Sequence, residues 1–149
     1  MLTKLLAATI AGGIAFFILG FLIFGLVLGP NVMLPNVNPD AAKILNETPI
    51  WAPLIFSDLA IALLLAYIFE TLAGIRTFAG GLKAGAIILF VLDLYIQLSF
   101  LAFMKMHTSL APVIADLIGT TVMGAIAGGV IGAVLGKMNK GLATADALR

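Results

Sequence analysis

The feature that most constrains this chain is a repeat near its C-terminal end: Asp116, Thr120, Gly124, Gly128, Gly132 and Gly136 fall at every fourth position. Residues four apart stack on one face of an α-helix, and glycine there removes the side chain, so a second helix can approach the backbone closely. No charged residue occurs from Leu117 to Gly136. At 1.5 Å per residue that run spans about 30 Å, the thickness of a bilayer's hydrocarbon core. The stretch therefore reads as a transmembrane helix built to be packed against, by a helix of the same chain or of another.

Composition makes lipid the solvent for the whole chain. Of 149 residues, 62% are hydrophobic and 10% charged, too few polar groups to coat a water-soluble domain. The eight Lys and Arg are spread along the chain and the net charge is +1, which argues against a nucleic-acid partner. The absence of cysteine removes disulfides, thiolate nucleophiles and Cys-ligated metals together, and one histidine, His107, is too few for a His-rich metal site. Neither a cofactor nor a metal is expected.

In order along the chain, the first span is Leu5 to Leu28, a charge-free run after Lys4. It is longer than the apolar region of a cleaved signal peptide and leads into Gly29-Pro30-Asn31, where the helix is expected to stop. Ala8, Gly12 and Gly20 share one face, which makes this helix a partner for the last. Gly29 to Pro49 is a long connection broken by prolines. Within it, Asn38 is placed to cap a short helix, with Pro39 at its first position and Asp40 in its first turn. Asn46-Glu47-Thr48 fits a glycosylation acceptor pattern, a weak signal over three residues.

The second span, about 50–72, opens on Trp51, where an indole suits the headgroup boundary, and carries Asp58, Ala62, Ala66 and Glu70 four apart. The third, about 82–104, carries Gly85, Leu89, Asp93 and Gln97 in the same spacing. The fourth, about 112–136, begins at Pro112, which suits a first helical turn. The short links between spans two, three and four make those helices antiparallel neighbours. The expected fold is an all-α, single-domain, integral membrane four-helix up-and-down bundle. Lys4, Arg76, Lys83, Lys137, Lys140 and Arg149 lie at one end against Lys43 and Lys105 at the other, which places both termini in the cytoplasm and the protein in the cell inner (plasma) membrane.

The polar groups inside the spans are the candidates for chemistry. A carboxylate in hydrocarbon is costly and faces partners in a bundle interior. Counted from the helix ends, Asp58, Gln97 and Asp116 lie in the outer half, about 6 to 12 Å deep, where they could meet, with Thr120 one turn below Asp116. Asp93 sits near the midplane, one turn from Gln97. This set reads either as a proton or cation relay opening outward or as a hydrogen-bonded cluster that fixes helix register. Glu70 has a different expectation, an ion pair with Arg76 or Lys83 at the inner interface. Met104-Lys105-Met106-His107 holds soft ligands but lacks a second histidine, and reads as core and interface methionine. Thr120 and Thr121 are expected to bond to a carbonyl one turn back. No nucleophile constellation, phosphate loop or HExxH motif is present.

The pattern of the whole chain resembles a group of small four-span bacterial inner-membrane proteins. The likeness rests on Phe-Ile-Leu-Gly-Phe-Leu-Ile-Phe-Gly at 17–25, Leu-Leu-Ala-Tyr-Ile-Phe at 64–69, Gly-Gly-Leu-Lys-Ala-Gly at 80–85 and the run from Asp116 to Gly128. The resemblance implies the four-span fold and no activity. Small multidrug exporters, with four short helices, are a second comparison, but the first helix here carries no glutamate. Two readings follow. The first is a non-enzymatic packing or accessory subunit, in a homo-oligomer or a larger membrane complex, associating through the glycine-rich fourth helix. The second is a small proton-coupled transporter or channel using Asp58, Asp93 and Asp116.

Overall fold

A computed structural model describes residues 2–46 and 48–147, the side chains of 141–147 excepted. The glycosylation pattern includes Glu47 and Arg149 follows the last described residue, so both expectations lie outside the described residues. The chain is helical: α1 (Leu2–Gly20), continued by a wide-turned segment (Phe21–Met33) and one tight turn (Leu34–Asn36); the short α2 (Pro39–Ala42); α3 (Trp51–Tyr67), continued by a second wide turn (Ile68–Ala73); α4 (Phe78–Phe103); and α5 (Ala111–Ala147). Four helical stretches are long and apolar enough to cross a membrane: Leu2–Asn36, Trp51–Ala73, Phe78–Phe103 and Ala111–Lys140.

The first of these corrects the expected stop at Gly29-Pro30. Proline breaks an α-helix because it lacks an N–H and its ring meets the carbonyl four residues back. From Phe21 onward the helix instead widens to π-type turns with Pro30 inside them. The wider i→i+5 turn moves that carbonyl out of the ring's way. Gly29 belongs to the same solution, since a Cβ there would collide with the carbonyl oxygen of Phe24, five residues back. The remainder of the connection follows the sequence. The Asn38 side chain accepts the N–H of Asp40 at 3.0 Å and Pro39 opens α2.

Packing separates α5 into two working faces. On one, Ala127, Ile131 and Leu135 are fully buried against Leu5, Ala8 and Phe16 of α1 and against Ala62, Leu65, Ala66 and Phe69 of the α3 helix. Gly12 of α1 is the hole for one of these side chains, because a Cβ there would lie 2.6 Å from Ile131 Cδ1. The other face is the glycine line. The buried residues of α4 are Gly81, Gly85, Leu89, Asp93 and Gln97, one in every four. A Cβ on Gly128 would lie 2.5 Å from the carbonyl oxygen of Gly81, and one on Gly132 equally close to the carbonyl oxygen of Thr77. Gly85 stands against Gly124, and Gly136 against Arg76, in the same way. The groove of α5 is thus filled by α4 of the same chain, backbone on backbone. Gly20 has no such duty, its nearest neighbour being Met123 Sδ at 3.8 Å.

These faces also decide which helices are neighbours. α4 packs on α5, α5 on α1, and α1 on α3, whereas α3 and α4 barely touch although a short turn joins them. The expectation that sequence-adjacent spans pack together fails there for a physical reason. The α3 face is alanine, leucine and phenylalanine and fits α1, while the glycine and polar line of α4 fits the matching line of α5. The turn between α3 and α4 reverses at Gly74, whose φ of 62° favours glycine, and Thr77 caps α4 by accepting the N–H of Gly80 at 3.1 Å.

Candidate functional site

Where the facing lines of α4 and α5 run out of glycine, they become polar. The next residues on α4 after Leu89 are Asp93 and Gln97, and the residues before Gly124 on α5 are Thr120 and Asp116. The Gln97 Nε2 amide bridges the two carboxylates, donating to Asp116 Oδ2 and, at 3.5 Å, to Asp93 Oδ1. Thr120 Oγ1 approaches Asp116 Oδ1 from one turn below at 3.5 Å. Asp93 and Gln97 are 8% and 7% exposed, so this is an interior cluster. One atom of it is left over: Asp93 Oδ2 is buried and has no hydrogen-bond partner. Thr121, by contrast, turns back to the Leu117 carbonyl at 2.6 Å, as expected for a hydroxyl in an apolar helix.

Four of the five expected cluster residues therefore meet, and Asp58 does not join them. It stands on α3, on the wall of two cavities that lie against α1, with Phe17 shared by both. Counting residues from a helix end gives no rotation about the helix axis. The face it points to depends on α3 packing against α1, which depth does not encode.

A cavity of about 30 Å³ lies beside Gln97 and is lined also by Met104, Met106 and His107. That is room for a water molecule. Its roof is a clip that sequence reasoning missed. Asn38 N–H donates to the Met106 carbonyl at 2.9 Å and Thr108 N–H to the Asn36 carbonyl at 2.8 Å, making Val37 and His107 an antiparallel pair. Ser109 Oγ adds a 2.7 Å bond to Asn36 Oδ1. The asparagines of the first connection and Thr108-Ser109 of the other were the available signal, but loop-to-loop pairing leaves no spacing to detect. Met104 and His107 line this cavity, and the described residues contain no group of three or more His, Cys, Asp or Glu suited to a metal ion.

At the opposite end of the bundle, Glu70 is buried under a set of donors. Arg76 Nε and a terminal guanidinium nitrogen each lie 3.2 Å from its carboxylate, Lys4 Nζ lies 3.5 Å away, and Asn139 Nδ2 donates to it at 3.2 Å. Lys4 also donates to Asn139 Oδ1. The expected Glu70–Arg76 pair is present. Lys4 and Asn139 extend it so that α1, the end of α3, the following turn and α5 are tied at one point.

Four helices long and apolar enough for a bilayer, with a carboxylate–amide cluster buried between two of them, define the class: a small all-helical protein compatible with a multi-pass membrane location. No model of a known protein family matches the chain, nor does any curated protein or solved structure.

Proposed function

We propose that this is a non-enzymatic, multi-pass protein of the cell inner membrane, with both termini cytoplasmic, in which the Asp93–Asp116 pair takes up and releases a proton or a monovalent cation as part of a transport or channel cycle. The observation that carries the reading is the unpartnered, buried Asp93 Oδ2 beside a second carboxylate. Gln97 contributes hydrogen bonds but no charge, and no lysine or arginine forms a salt bridge with either aspartate among the described residues. Charge at such a depth is tolerated only when balanced, so a proton or a small cation is the counterpart that the pair lacks. The cavity between Gln97 and His107 supports access from the end that holds the clip.

The accessory-subunit reading has the glycine-rich fourth helix as its contact, and α4 of the same chain lies against that glycine face, which favours the transport reading. A purely register-setting role for the cluster is served by the Gln97–Asp116 bond and gives no task to the unpaired Asp93 oxygen.

The test is flux into reconstituted vesicles across a pH gradient and a membrane potential. The wild type is expected to move protons or a monovalent cation. Asp93→Asn, which keeps shape and hydrogen bonding but cannot cycle a proton, is expected to leave folding and extraction intact and abolish the flux. Asp116→Asn is expected to reduce it. Flux undiminished in Asp93→Asn, or absent from the wild type, overturns the reading.

A further inference from the structure

Asp58 makes no hydrogen bond or ion pair among the described residues, and it stands at the edge of a cavity of about 530 Å³. The cavity lies between the wide-turned part of the first helix, the start of α3, and Met123 of α5. Its walls are aromatic, with Phe17, Phe21 and Phe24 on one side and Trp51 on the other. Phe17 and Trp51 stand with ring centroids 6.1 Å apart, tilted at 54°. A second cavity of about 380 Å³ further along the α1–α3 seam, lined by Ile10, Ile14 and Ile55, shares Phe17 and Asp58 with the first. One carboxylate thus serves two apolar lobes.

The chemistry of these walls narrows the occupant. A divalent or small inorganic cation needs several oxygen ligands, and the lining supplies a single carboxylate with no other charged or hydroxyl-bearing side chain. An anion is repelled by that carboxylate. A neutral acyl chain would fill the apolar lobes while leaving Asp58 unpaired. A bulky organic cation satisfies both, because aromatic faces attract a diffuse positive charge that is cheap to dehydrate, and the carboxylate supplies its counter-charge. The volume is that of a site for a drug-sized molecule.

We infer that the aromatic cavity at Asp58 is a binding site for a lipophilic organic monocation. The site shares no lining residue with the Asp93–Asp116 cluster, and its occupancy does not depend on proton exchange there.

Trp51 is the single tryptophan of the chain and part of the wall, so its emission reports occupancy directly. In the experiment, the full chain in phosphatidylcholine nanodiscs is titrated with tetraphenylphosphonium, with empty nanodiscs subtracted. Saturable quenching of Trp51 is expected. Triphenylphosphine oxide, aromatic but uncharged, is expected to bind at least about tenfold more weakly, since one charge pair in a partly desolvated site readily supplies that factor. Asp58→Asn is expected to lose a similar factor for the cation and none for the neutral compound, whereas Asp40→Asn, a carboxylate in the connection before α3, is expected to bind like the wild type. Equal affinity of the wild type for the two probes, a comparison that needs no variant to fold, overturns the inference and makes the cavity a seat for neutral chains. So does Asp58→Asn binding the cation as tightly as the wild type, or an absence of saturable quenching.

Discussion

Glu70 and Asp40 are both acidic residues paired with a lysine, and burial makes them respond differently to truncation. The Asp40–Lys43 contact is short, at 2.7 Å, but both side chains are mostly in solvent, where such pairs contribute little. The Glu70 side chain is 7% exposed and gathers Lys4, Arg76 and Asn139. Glu70→Ala is expected to cost about 1–3 kcal/mol, because it removes the shared acceptor and leaves the part-buried Lys4 ammonium without its counter-charge. Asp40→Ala is expected to stay within about 0.5 kcal/mol of the wild type. Thermal unfolding in detergent checks both. The Glu70–Arg76 part of this arrangement was legible in the sequence, since a carboxylate at the end of a helix and an arginine in the following turn can hardly avoid each other. Lys4 and Asn139 come from opposite ends of the chain, and only the packing of α1 against α5 brings them in.

For the helices, spacing was a better guide than punctuation. The four-residue lines name the buried face of α4 and one of the two packed faces of α5, and they do so because glycine and buried polar groups are both expensive where they have no packing role. Gly128→Ala is therefore expected to destabilise the protein, as its Cβ would press on backbone, the Gly81 carbonyl and Gly85 Cα, and Gly128→Leu to do so more severely. Gly20→Ala is expected to be neutral or slightly stabilising, since ordinary van der Waals distance separates it from Met123 and alanine favours a helix. Val130→Leu, off the glycine line, is expected to be tolerated. Equal thermal midpoints for Gly128→Ala and Gly20→Ala would contradict the backbone contact. Pro30 was misread because the rule for proline presumes α geometry, and nothing in the residues before it announces a change of helical pitch.

At the level of the whole molecule, the absence of cysteine allows both the clip and the topology to be tested on a clean background. Val37 and His107 are flanked, not joined, by the two backbone bonds of the clip, an arrangement with Cα atoms about 4.5 Å apart. That spacing suits a disulfide. The double variant Val37→Cys/His107→Cys is expected to oxidise to an intramolecular cross-link, seen as a mobility shift that reductant reverses, and failure to cross-link would remove the clip. Thr108→Cys is expected to react with an impermeant maleimide from outside intact cells and Thr77→Cys to be protected; the opposite pattern would invert the orientation. The order of the helices in space was the least legible part. Short links imply adjacency only when the joined faces match, and here the α3 and α4 faces each match a different helix.

The α4–α5 contact has a further property that follows from its regularity. Gly124, Gly128 and Gly132 recur at one interval, so Gly81 and Gly85 would find nearly equivalent seats after sliding by one turn, a displacement of about 6 Å. Taken alone, the glycine contact is degenerate in translation, like a rack with identical teeth. The degeneracy is lifted outside the repeat, where Leu89 meets Gly124 and Gln97 reaches Asp116 in one register and not in the next. The carboxylate cluster is in this sense the index mark of the rack. On the proposed reading, a proton gained or lost there would alter the energy gap between adjacent teeth, and with it the axial seat of α4 on α5.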